Sequence, residues 1–329
     1  MKIPTPIKKT PHIIRQIQKI DTCSDTLEKV PLSSEIILNL RRRSLLQSAL
    51  FSARIEGNTL ELNEFAQSPK NSKRRRVREA QNLVSALGWV GEYFLNSPKP
   101  ITLEILLKLH QMVMKDVSSY QIGRLRHELS GIFNQANYPV YVAPSPELAK
   151  KMLNKLLWYA NSAKGHPLIR AFLAQYHFEK IHPFFDGNGR VGRLLSSAVL
   201  AKNGYHLKGL AVVEKIVDEK RSLYYRTLEE GAQSFTEFML EALAIEAEKT
   251  LEMAIEANEK GPKKEDALLP RRQEILNIIR DHKLVNFDTV RRRFLSISPR
   301  TLRNDIKQLT DKGFIIKKGT TRGAYYSPT

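Results

Sequence analysis

Hydrophobic positions recur every three or four residues along most of this chain, which is the spacing of an amphipathic helix. The first such segment starts at Ser33 or Ser34, residues typical of a helix N-cap, and runs to Ile55. Gly57 follows it and can take the left-handed conformation that ends a helix. The same spacing predicts helices over residues 77–94, 102–115, 146–159, 167–180, 191–202 and 234–260. The fold class is therefore predicted to be mainly α.

The helical pattern is interrupted in three places before residue 143. Residues 1–30 are mixed in character and interrupted by prolines, so we expect a loosely structured lead-in. Residues 66–76 (AQSPKNSKRRR) are typical of an exposed basic loop. Around residues 137–142 (NYPVYV), β-branched and aromatic residues bounded by Asn and Pro predict a short β-hairpin.

Residues 261–270 (GPKKEDALLP) form the clearest domain boundary, because they are charged, flanked by proline and lack apolar periodicity. After them the pattern reads helix, helix, turn, helix and two short strands. Ser298 and Pro299 suit the N-cap and first position of the third helix, and Gly313 ends it. This order resembles the winged helix-turn-helix domains of bacterial regulators. We therefore predict an N-terminal helical region, a helical core, a linker and a winged helix domain, over residues 1–82, 83–260, 261–270 and 271–329.

Charge adds a functional prediction to this outline. The chain has 53 Lys and Arg against 34 Asp and Glu, which gives a net charge of +19 and a pI near 9.9. Residues 262–329 alone hold 16 basic and 7 acidic residues. Such an excess in one domain indicates DNA binding, whereas a winged helix used only for protein contacts is the alternative. The candidate DNA contacts are Arg300, Arg303 and Lys307 on the third helix and Arg322 on the wing.

Other features of the composition concern the cellular setting. Cys23 is the single cysteine, so no intrachain disulfide can form, which is typical of the reducing cytoplasm. The N-terminal residues contain no apolar signal segment, and the longest apolar runs are too short to span a bilayer. We therefore expect a cytoplasmic protein without a membrane partner, in which Cys23 is chemically inert.

The stretch HPFFDGNGR, residues 182–190, combines several chemical groups in nine positions. Pro183 disfavours helical backbone at His182, so the preceding helix should end there with the imidazole at a loop. An imidazole at that place can accept a proton from a nucleophile near neutral pH. Gly187 and Gly189 allow close backbone approach to a ligand, and Asn188 can add a side-chain donor.

The residues after the glycines indicate that this ligand is a phosphate. A helix begins directly after them, and the amide groups at a helix N-terminus hold anions. Arg190 and Arg193 are three residues apart, so both can reach phosphate oxygens from the first turn. Asp186 is suited to a hard cation such as Mg²⁺ between protein and phosphates. Together these groups predict a polyphosphate site with a general base beside it.

HPFFDGNGRVGR, residues 182–193, resembles the motif HPFxDGNGRxxR of Fic-domain proteins at every fixed position. The resemblance extends over residues 83–204 and implies a Fic-type helical core with AMP transferase (AMPylation) activity. His182 would deprotonate a Ser, Thr or Tyr hydroxyl of a target protein, and that oxygen would attack the α-phosphate of ATP. The other implied roles are Mg²⁺ binding by Asp186, an anion hole at Gly187, Asn188 and Gly189, and outer-phosphate contacts from Arg190 and Arg193.

The resemblance also gives the predicted hairpin a role. In Fic proteins a hairpin at this place is the flap that pairs with an extended segment of the target. Asn137, Tyr138 and Val140 would then be flap residues, although on sequence alone such a hairpin is more often purely structural.

Ser52 and Glu56 are four residues apart and therefore share one helix face. A carboxylate near a helix C-terminus is disfavoured by the helix dipole, so it needs a cation or solvent. The segment SARIEGN, residues 52–58, resembles the [S/T]xxxE[G/N] motif of Fic proteins that carry their own inhibitory helix. The resemblance implies that Glu56 pairs with Arg193 and prevents productive binding of the γ-phosphate.

Two other functions stay open at this point. The chain could be a DNA-binding regulator in which the Fic core is a sensor. The same site could also perform another transfer, such as phosphorylation, transfer of another nucleotide or of phosphocholine, or removal of AMP. Gly189 argues against phosphorylation, because phosphorylating relatives have a larger residue there. The target protein, self-modification and a homodimer are not decided by the sequence.

Overall fold

The computed structural model of the chain describes residues 2–69, 72–95, 97, 99–118, 121–133, 139–259, 268–294, 297–319 and 324–329. Helices dominate the described residues, so the prediction of a mainly α fold is confirmed. The helices are α1 (Pro11–Lys29), α2 (Ser34–Ile55), α3 (Leu62–Gln67), α4 (Arg75–Phe94), α5 (Leu103–Met114), α6 (Pro146–Asn161), α7 (Pro167–Ile181), α8 (Asn188–Lys202), α9 (Val213–Glu219), α10 (Arg221–Glu230), α11 (Ala232–Glu259), α12 (Pro270–His282), α13 (Phe287–Arg293) and α14 (Pro299–Asp311). The strands are β1 (Gly131–Phe133), β2 (Pro139–Val142), β3 (Val285–Asn286), β4 (Ile315–Lys318) and β5 (Tyr325–Pro328).

The expectation of a loosely structured N-terminus is wrong, because α1 is a regular helix that packs along α11. Thr10 caps α1 by accepting a hydrogen bond from the Ile13 amide at 3.2 Å. Ile13, Ile20 and Leu27 are buried at seven-residue spacing. That spacing places them on one face, which supplies the burial energy that the polar remainder of α1 lacks.

Helix α7 lies at the centre of the main hydrophobic core, with α6, α8 and α11 packed around it. It is buried on nearly every side from Leu168 to Phe178. Helices α2 and α4 close the core on the side of α8. The C-terminus of α7 and the N-terminus of α8 therefore meet at the motif over a rigid base.

The predicted hairpin is formed by β1 and β2, which pair antiparallel with Gly131 opposite Val142. It is fixed to the end of α7, because the Tyr141 hydroxyl donates to the Lys180 carbonyl. The Lys180 ammonium also lies 4.8 Å from the centre of the Tyr141 ring. The hairpin thus stands beside the loop that carries His182.

The C-terminal elements have a hydrophobic core of their own, which joins α12, α13 and α14 to the strands. Strands β4 and β5 form the predicted hairpin, and β3, which the sequence pattern did not indicate, adds a third strand next to β5. Ser298 caps α14 as predicted, with its Oγ accepting from the Thr301 amide at 3.1 Å. Asp305 is buried and accepts hydrogen bonds from Arg271 and Arg272, which ties α14 to α12.

Several smaller differences from the predicted elements have simple causes. Helices α9 and α10 were not predicted, because each is short; α9 follows a Gly-containing segment, and α10 is separated from α9 by Lys220 alone. The predicted basic loop over residues 66–76 is shortened by α3 on one side and α4 on the other. Helix α8 starts three residues earlier than predicted, so the Gly-Asn-Gly sequence belongs to its first turn. Within the described ranges, no helix combines the length and the hydrophobicity that crossing a membrane requires.

Candidate active site

His182 ends α7 in a left-handed conformation, with φ 51° and ψ 57°. Residues other than glycine seldom adopt this region, so surrounding contacts must hold it. Arg126 supplies them: its Nε donates to the His182 carbonyl at 2.7 Å, and its backbone amide donates to the Pro183 carbonyl at 2.9 Å. Arg126 is itself buried and was not singled out by the sequence.

The His182 imidazole is oriented as a general base requires. Its Nδ1 lies 3.4 Å from the Glu179 carbonyl, an acceptor, so Nδ1 carries the proton and Nε2 has the free lone pair. Burial lowers the pKa of His182, which keeps the ring neutral near neutral pH. A neutral ring with a free Nε2 can accept a proton from a hydroxyl.

The turn after His182 is closed by Asn188. Its Oδ1 accepts from the Phe184 amide at 2.9 Å, and its Nδ2 donates to the Phe184 carbonyl at 2.8 Å. Phe184 is fully buried and stacks on His110 with ring centres 3.9 Å apart. Both ends of the Asn188 side-chain amide thus fix the turn, and its expected contact with a ligand stays a prediction.

His110 supports the same turn from α5 and was missed by the sequence reasoning. Its Nδ1 accepts from the Gly123 amide at 2.9 Å, so its Nε2 carries the proton and donates to the Asp186 carbonyl at 3.1 Å. Burial lowers the pKa of His110 to about 4, so the ring is neutral. The available signal was a histidine on the apolar face of an amphipathic helix.

The two glycines of the motif are required for different reasons. Gly187 has a φ of 80°, and a Cβ there would lie 2.7 Å from Met114 Sδ. A Cβ on Gly189 would collide with Glu56 Oε1 and lie 3.3 Å from Arg193 Nη1. The Glu56 carboxylate therefore lies against the first turn of α8, where the helix N-terminus favours an anion.

Asp186 and Arg190 are bound to each other at the start of α8. Asp186 Oδ1 accepts from Arg190 Nη2 at 2.9 Å and from the Gly187 amide at 2.6 Å. The Asp186 side chain is 41% exposed, so a cation can reach its carboxylate. Within the described part of the chain, no group of three or more His, Cys, Asp or Glu residues could hold a metal ion. Asp186 alone, together with phosphate oxygens, is a donor set that suits Mg²⁺.

Arg193 is buried and connects α8 to α2. Its Nε donates to Ser52 Oγ, and its Nη2 donates to the Ser52 carbonyl and to Glu56 Oε1, each at 2.9 Å. Arg193 Nη1 has no hydrogen-bond partner among the described residues. The three predicted residues are thus brought together, with one guanidinium nitrogen, close to Gly189, left to bind a further acceptor.

The C-terminus of α2 is completed by α10, which the sequence did not indicate. Arg221 Nη1 donates to the Arg54 carbonyl at 2.7 Å, and the Tyr225 hydroxyl donates to the Ile55 carbonyl at 3.1 Å. A cation on the terminal carbonyls offsets the dipole that opposes the Glu56 carboxylate. The end of α2 is therefore held independently of Arg193.

A second carboxylate, Glu179, lies near Arg193 and was also missed. Burial raises the pKa of Glu179, while the positive charge of Arg193 opposes this. Its Oε1 accepts from the Tyr224 hydroxyl at 2.6 Å and from Gln175 Nε2 at 3.0 Å. The signal in the sequence was a Gln and a Glu four residues apart in a helix whose buried residues are mostly apolar.

Some predicted site residues cannot be placed. Asn137 and Tyr138 lie outside the described residues, as does Arg322. Val140 lies in β2, and its side chain is not described. On α14, Arg300, Arg303 and Lys307 are exposed as expected, and the Arg303 guanidinium lies 4.5 Å above the ring centre of Phe287.

Comparison with known proteins agrees with this arrangement. Residues 100–200 match the Fic/DOC family, and residues 271–326 match the DeoR-like helix-turn-helix domain. The chain is 27% identical over 271 residues to the protein adenylyltransferase Fic of Drosophila persimilis, covering 79% of this chain and 50% of that protein. It is 28% identical over 198 residues to the protein of the same name from Nematostella vectensis, covering 57% and 45%. The chain thus spans about half the length of the curated relatives it matches.

Solved structures show the same fold. A Fic family protein from Desulfovibrio desulfuricans G20 has a TM-score of 0.65 at 24% identity, over 99% of this chain and 98% of that one. Fic-1 from C. elegans (residues 134–508 of that protein) has a TM-score of 0.60 at 22% identity, over 75% of this chain and 74% of that one. The chain therefore contains a Fic domain, which holds the candidate site, followed by a DeoR-like helix-turn-helix domain.

Proposed function

We propose that this protein transfers AMP from ATP to a Ser, Thr or Tyr hydroxyl of a target protein. The observation that carries the proposal is the neutral, oriented imidazole of His182 beside an anion-binding helix N-terminus. His182 Nε2 accepts the proton of the hydroxyl, whose oxygen attacks the α-phosphate; the bond between the α- and β-phosphates breaks, and pyrophosphate leaves. The Gly189 amide in the first turn of α8 faces the phosphates, while the Gly187 amide orients Asp186, and Arg190 and Arg193 neutralise the phosphate charge.

Asp186 would hold the Mg²⁺ that accompanies ATP, and the bound ion would neutralise negative charge on the phosphates. Arg190 fixes the Asp186 carboxylate in place through the 2.9 Å contact. This pair also keeps a positive group next to the phosphate oxygens. ATP and Mg²⁺ are accordingly the substrate and cofactor that we expect.

We further propose that Glu56 inhibits this activity in the resting protein. Its carboxylate lies against Gly189 and takes a hydrogen bond from Arg193, both of which the outer phosphates of ATP need. Removing the carboxylate leaves Arg193 buried, still oriented by Ser52 and free to bind phosphate. Glu56→Gly is therefore expected to raise the transfer rate.

The experiment is intact-mass spectrometry and labelled-ATP incorporation with the wild type and Glu56→Gly. The activated variant should gain the mass of AMP, on itself or on an added target, and His182→Ala in the same background should abolish the gain. Glu61→Gly is the matched control, because it removes an exposed carboxylate that pairs with Arg54 instead. Equal labelling by the wild type and Glu56→Gly would contradict the inhibition. No adduct with any nucleoside triphosphate would favour the regulator with a sensor core.

The hairpin of β1 and β2 is proposed as the target-docking flap. It is anchored at Lys180, two residues before His182, so a segment paired to its edge would reach the base. Self-modification and a homodimer are compatible with this placement. Mass spectrometry of the activated protein at several concentrations separates them, since modification within one chain does not depend on concentration.

We also propose that the DeoR-like domain binds DNA. Arg300 and Lys307 are exposed on one face of α14, and Ser298 and Pro299 set the start of that helix. Replacing both cations with alanine should weaken binding to random duplex and lower the slope of log affinity against log salt by about 2. Fluorescence anisotropy over a salt series measures both. Unchanged binding in the double variant would favour a domain that contacts only proteins.

A further inference from the structure

A cavity lies behind the motif of residues 182–193, and α2, α4, α7, α8, α9 and α11 line it. Its volume is about 510 Å³, within the range of about 300–1,000 Å³ that ligand pockets have. Small residues create this space where helices face each other: Ser44 and Ser48 on α2, and Gly88 and Gly91 on α4. Nothing lies within 4 Å of where a Cβ on Gly91 would be.

The mouth of the cavity is marked by its exposed lining residues. Leu38 on α2 is 50% exposed and Leu95 after α4 is 39% exposed. The charged residues at the mouth are two arginines, Arg41 and Arg42, and one glutamate, Glu92. The mouth is therefore an apolar rim with an excess of positive charge.

The deeper walls are predominantly apolar and fully desolvated. Phe172, Val217, Met239 and Leu243 line them, each at most 3% exposed. Along α2 the lining runs from Leu38 to a buried serine ten residues further, which is about 15 Å of helix. The cavity is therefore long enough for an extended aliphatic chain.

The polar groups at the inner end find most of their partners within the protein: Arg193, which also lines the cavity, binds Ser52 and Glu56. Ser196 Oγ donates to Gln175 Oε1 at 3.0 Å, so these two side chains satisfy each other. Burial raises the pKa of Glu214, which favours its uncharged form. An apolar chain end can lie against this region without a large electrostatic cost.

We propose that this cavity binds an aliphatic carboxylate, with its chain among the buried apolar walls and its carboxylate at Arg41 and Arg42. The positive mouth favours an anionic head group over a neutral or cationic one. A nucleotide does not suit this cavity, because its sugar and phosphates would lose their hydration without gaining hydrogen bonds from the apolar walls.

Occupancy of the cavity also acts on α2. Leu38, Leu45 and Ser48 line the cavity on one face of this helix, and Ser52 and Glu56 continue that face to Arg193. A ligand that packs along this face stabilises the arrangement in which Glu56 contacts Arg193. The ligand therefore strengthens inhibition, a consequence that rests on the proposed function.

The test is calorimetric titration of the full chain with dodecanoate below its micellar concentration. Gly91→Leu places a side chain in the cavity, and leucine favours a helix more than glycine does, so this variant is expected to fold. Ser85→Leu is the matched control, since it lies exposed on the same helix and outside the cavity. The wild type and Ser85→Leu should bind one dodecanoate per chain, and Gly91→Leu should bind about tenfold more weakly or worse. Arg42→Gln should weaken binding roughly fivefold, as loss of an exposed charge pair does.

Equal affinity of the wild type and Gly91→Leu, or no binding to the wild type, would overturn the site. The effect on α2 has a separate readout: dodecanoate should lower AMP labelling by the wild type and leave labelling by Glu56→Gly unchanged. Equal inhibition of both would overturn the link to Glu56. If no variant transfers AMP, the proposed function fails while the calorimetry still decides the site.

Discussion

Replacing Arg126 by methionine should impair both stability and catalysis, although the sequence motif does not include this residue. Its guanidinium donates to three carbonyls: His182 at 2.7 Å, Glu128 at 2.8 Å and Pro144 by a short contact. These bonds join the strained end of α7 to the segments that flank the β1–β2 hairpin. Methionine retains the length and apolar contacts of the side chain but none of the donors.

The size of the effect can be worked from these bonds. A hydrogen bond from a charged donor contributes about 1.5–3 kcal/mol. Glu128 is exposed, so its carbonyl regains water, and about two bonds are lost without replacement. The expected loss is about 3 kcal/mol, or roughly 6–10 °C in Tm. Without Arg126 the His182 side chain is no longer held in position. A displacement of a catalytic group by about 1 Å lowers the rate roughly a hundredfold, so kcat should fall by about that factor.

The measurement compares thermal unfolding, kcat and KM for ATP in the Glu56→Gly background. The amides of α8 do not depend on Arg126, so KM should change little while kcat falls. Arg124→Met is the matched control, because Arg124 is exposed and only two residues away. Equal losses in both variants, or an unchanged kcat for Arg126→Met, would refute this reasoning.

Three further predictions concern other parts of the chain. Gly189→Ala should lower the Tm of the wild type, because the added Cβ collides with Glu56, and should lower the Tm of Glu56→Gly much less. A double-mutant cycle of the wild type, the two single variants and the double variant measures this coupling, and additive losses of Tm would contradict it. Burial lowers the pKa of His110 and of His177 to about 4 in the folded chain. As pH falls below 6.5, these two histidines therefore become protonated in the unfolded chain before they do in the folded chain. The free energy of unfolding should then drop between pH 6.5 and 4 by up to about 3 kcal/mol for each histidine, and a flat urea series would oppose this. Asp305→Ala should destabilise the C-terminal domain by about 3 kcal/mol in calorimetry, since it leaves two arginines without their buried partner.

The sequence predicted most helices because their burial is periodic and their ends carry strong signals. Ser33, Thr102 and Ser145 accept amide hydrogen bonds at helix starts that the pattern had indicated. Helix α1 was missed because the prolines in residues 1–11 indicated a loop, although Ile13, Ile17 and Ile20 have helical spacing. Pro11 instead stands in the first turn of α1, where proline is compatible with a helix, and contact with α11 buries the apolar face.

Within the site, the sequence predicted residues whose chemistry is concentrated in one short segment. Arg126 and Tyr224 could not be assigned, because their partners at the site lie on other elements, and the spacing of Gln175 and Glu179 does not reveal that Glu179 also accepts from Tyr224. The part that Asn188 plays in closing the turn was not predicted for a related reason. A side-chain amide can serve a ligand or close a turn, and only the position of Phe184 decides between them.

The contact between Glu56 and Arg193 depends on the tertiary structure, because it joins α2 to α8. A buried guanidinium requires an anionic partner, since leaving it unpaired costs several kcal/mol. Glu56 meets that requirement in the resting protein, and under the proposed function the outer phosphates of ATP meet it during catalysis. Glu179 is close but already accepts from Tyr224 and Gln175, so it cannot fully replace either anion. Because both anions need the same guanidinium and the same helix N-terminus, they exclude each other. Under the proposed function, the strength of inhibition is therefore set by how firmly α2 holds Glu56 in place.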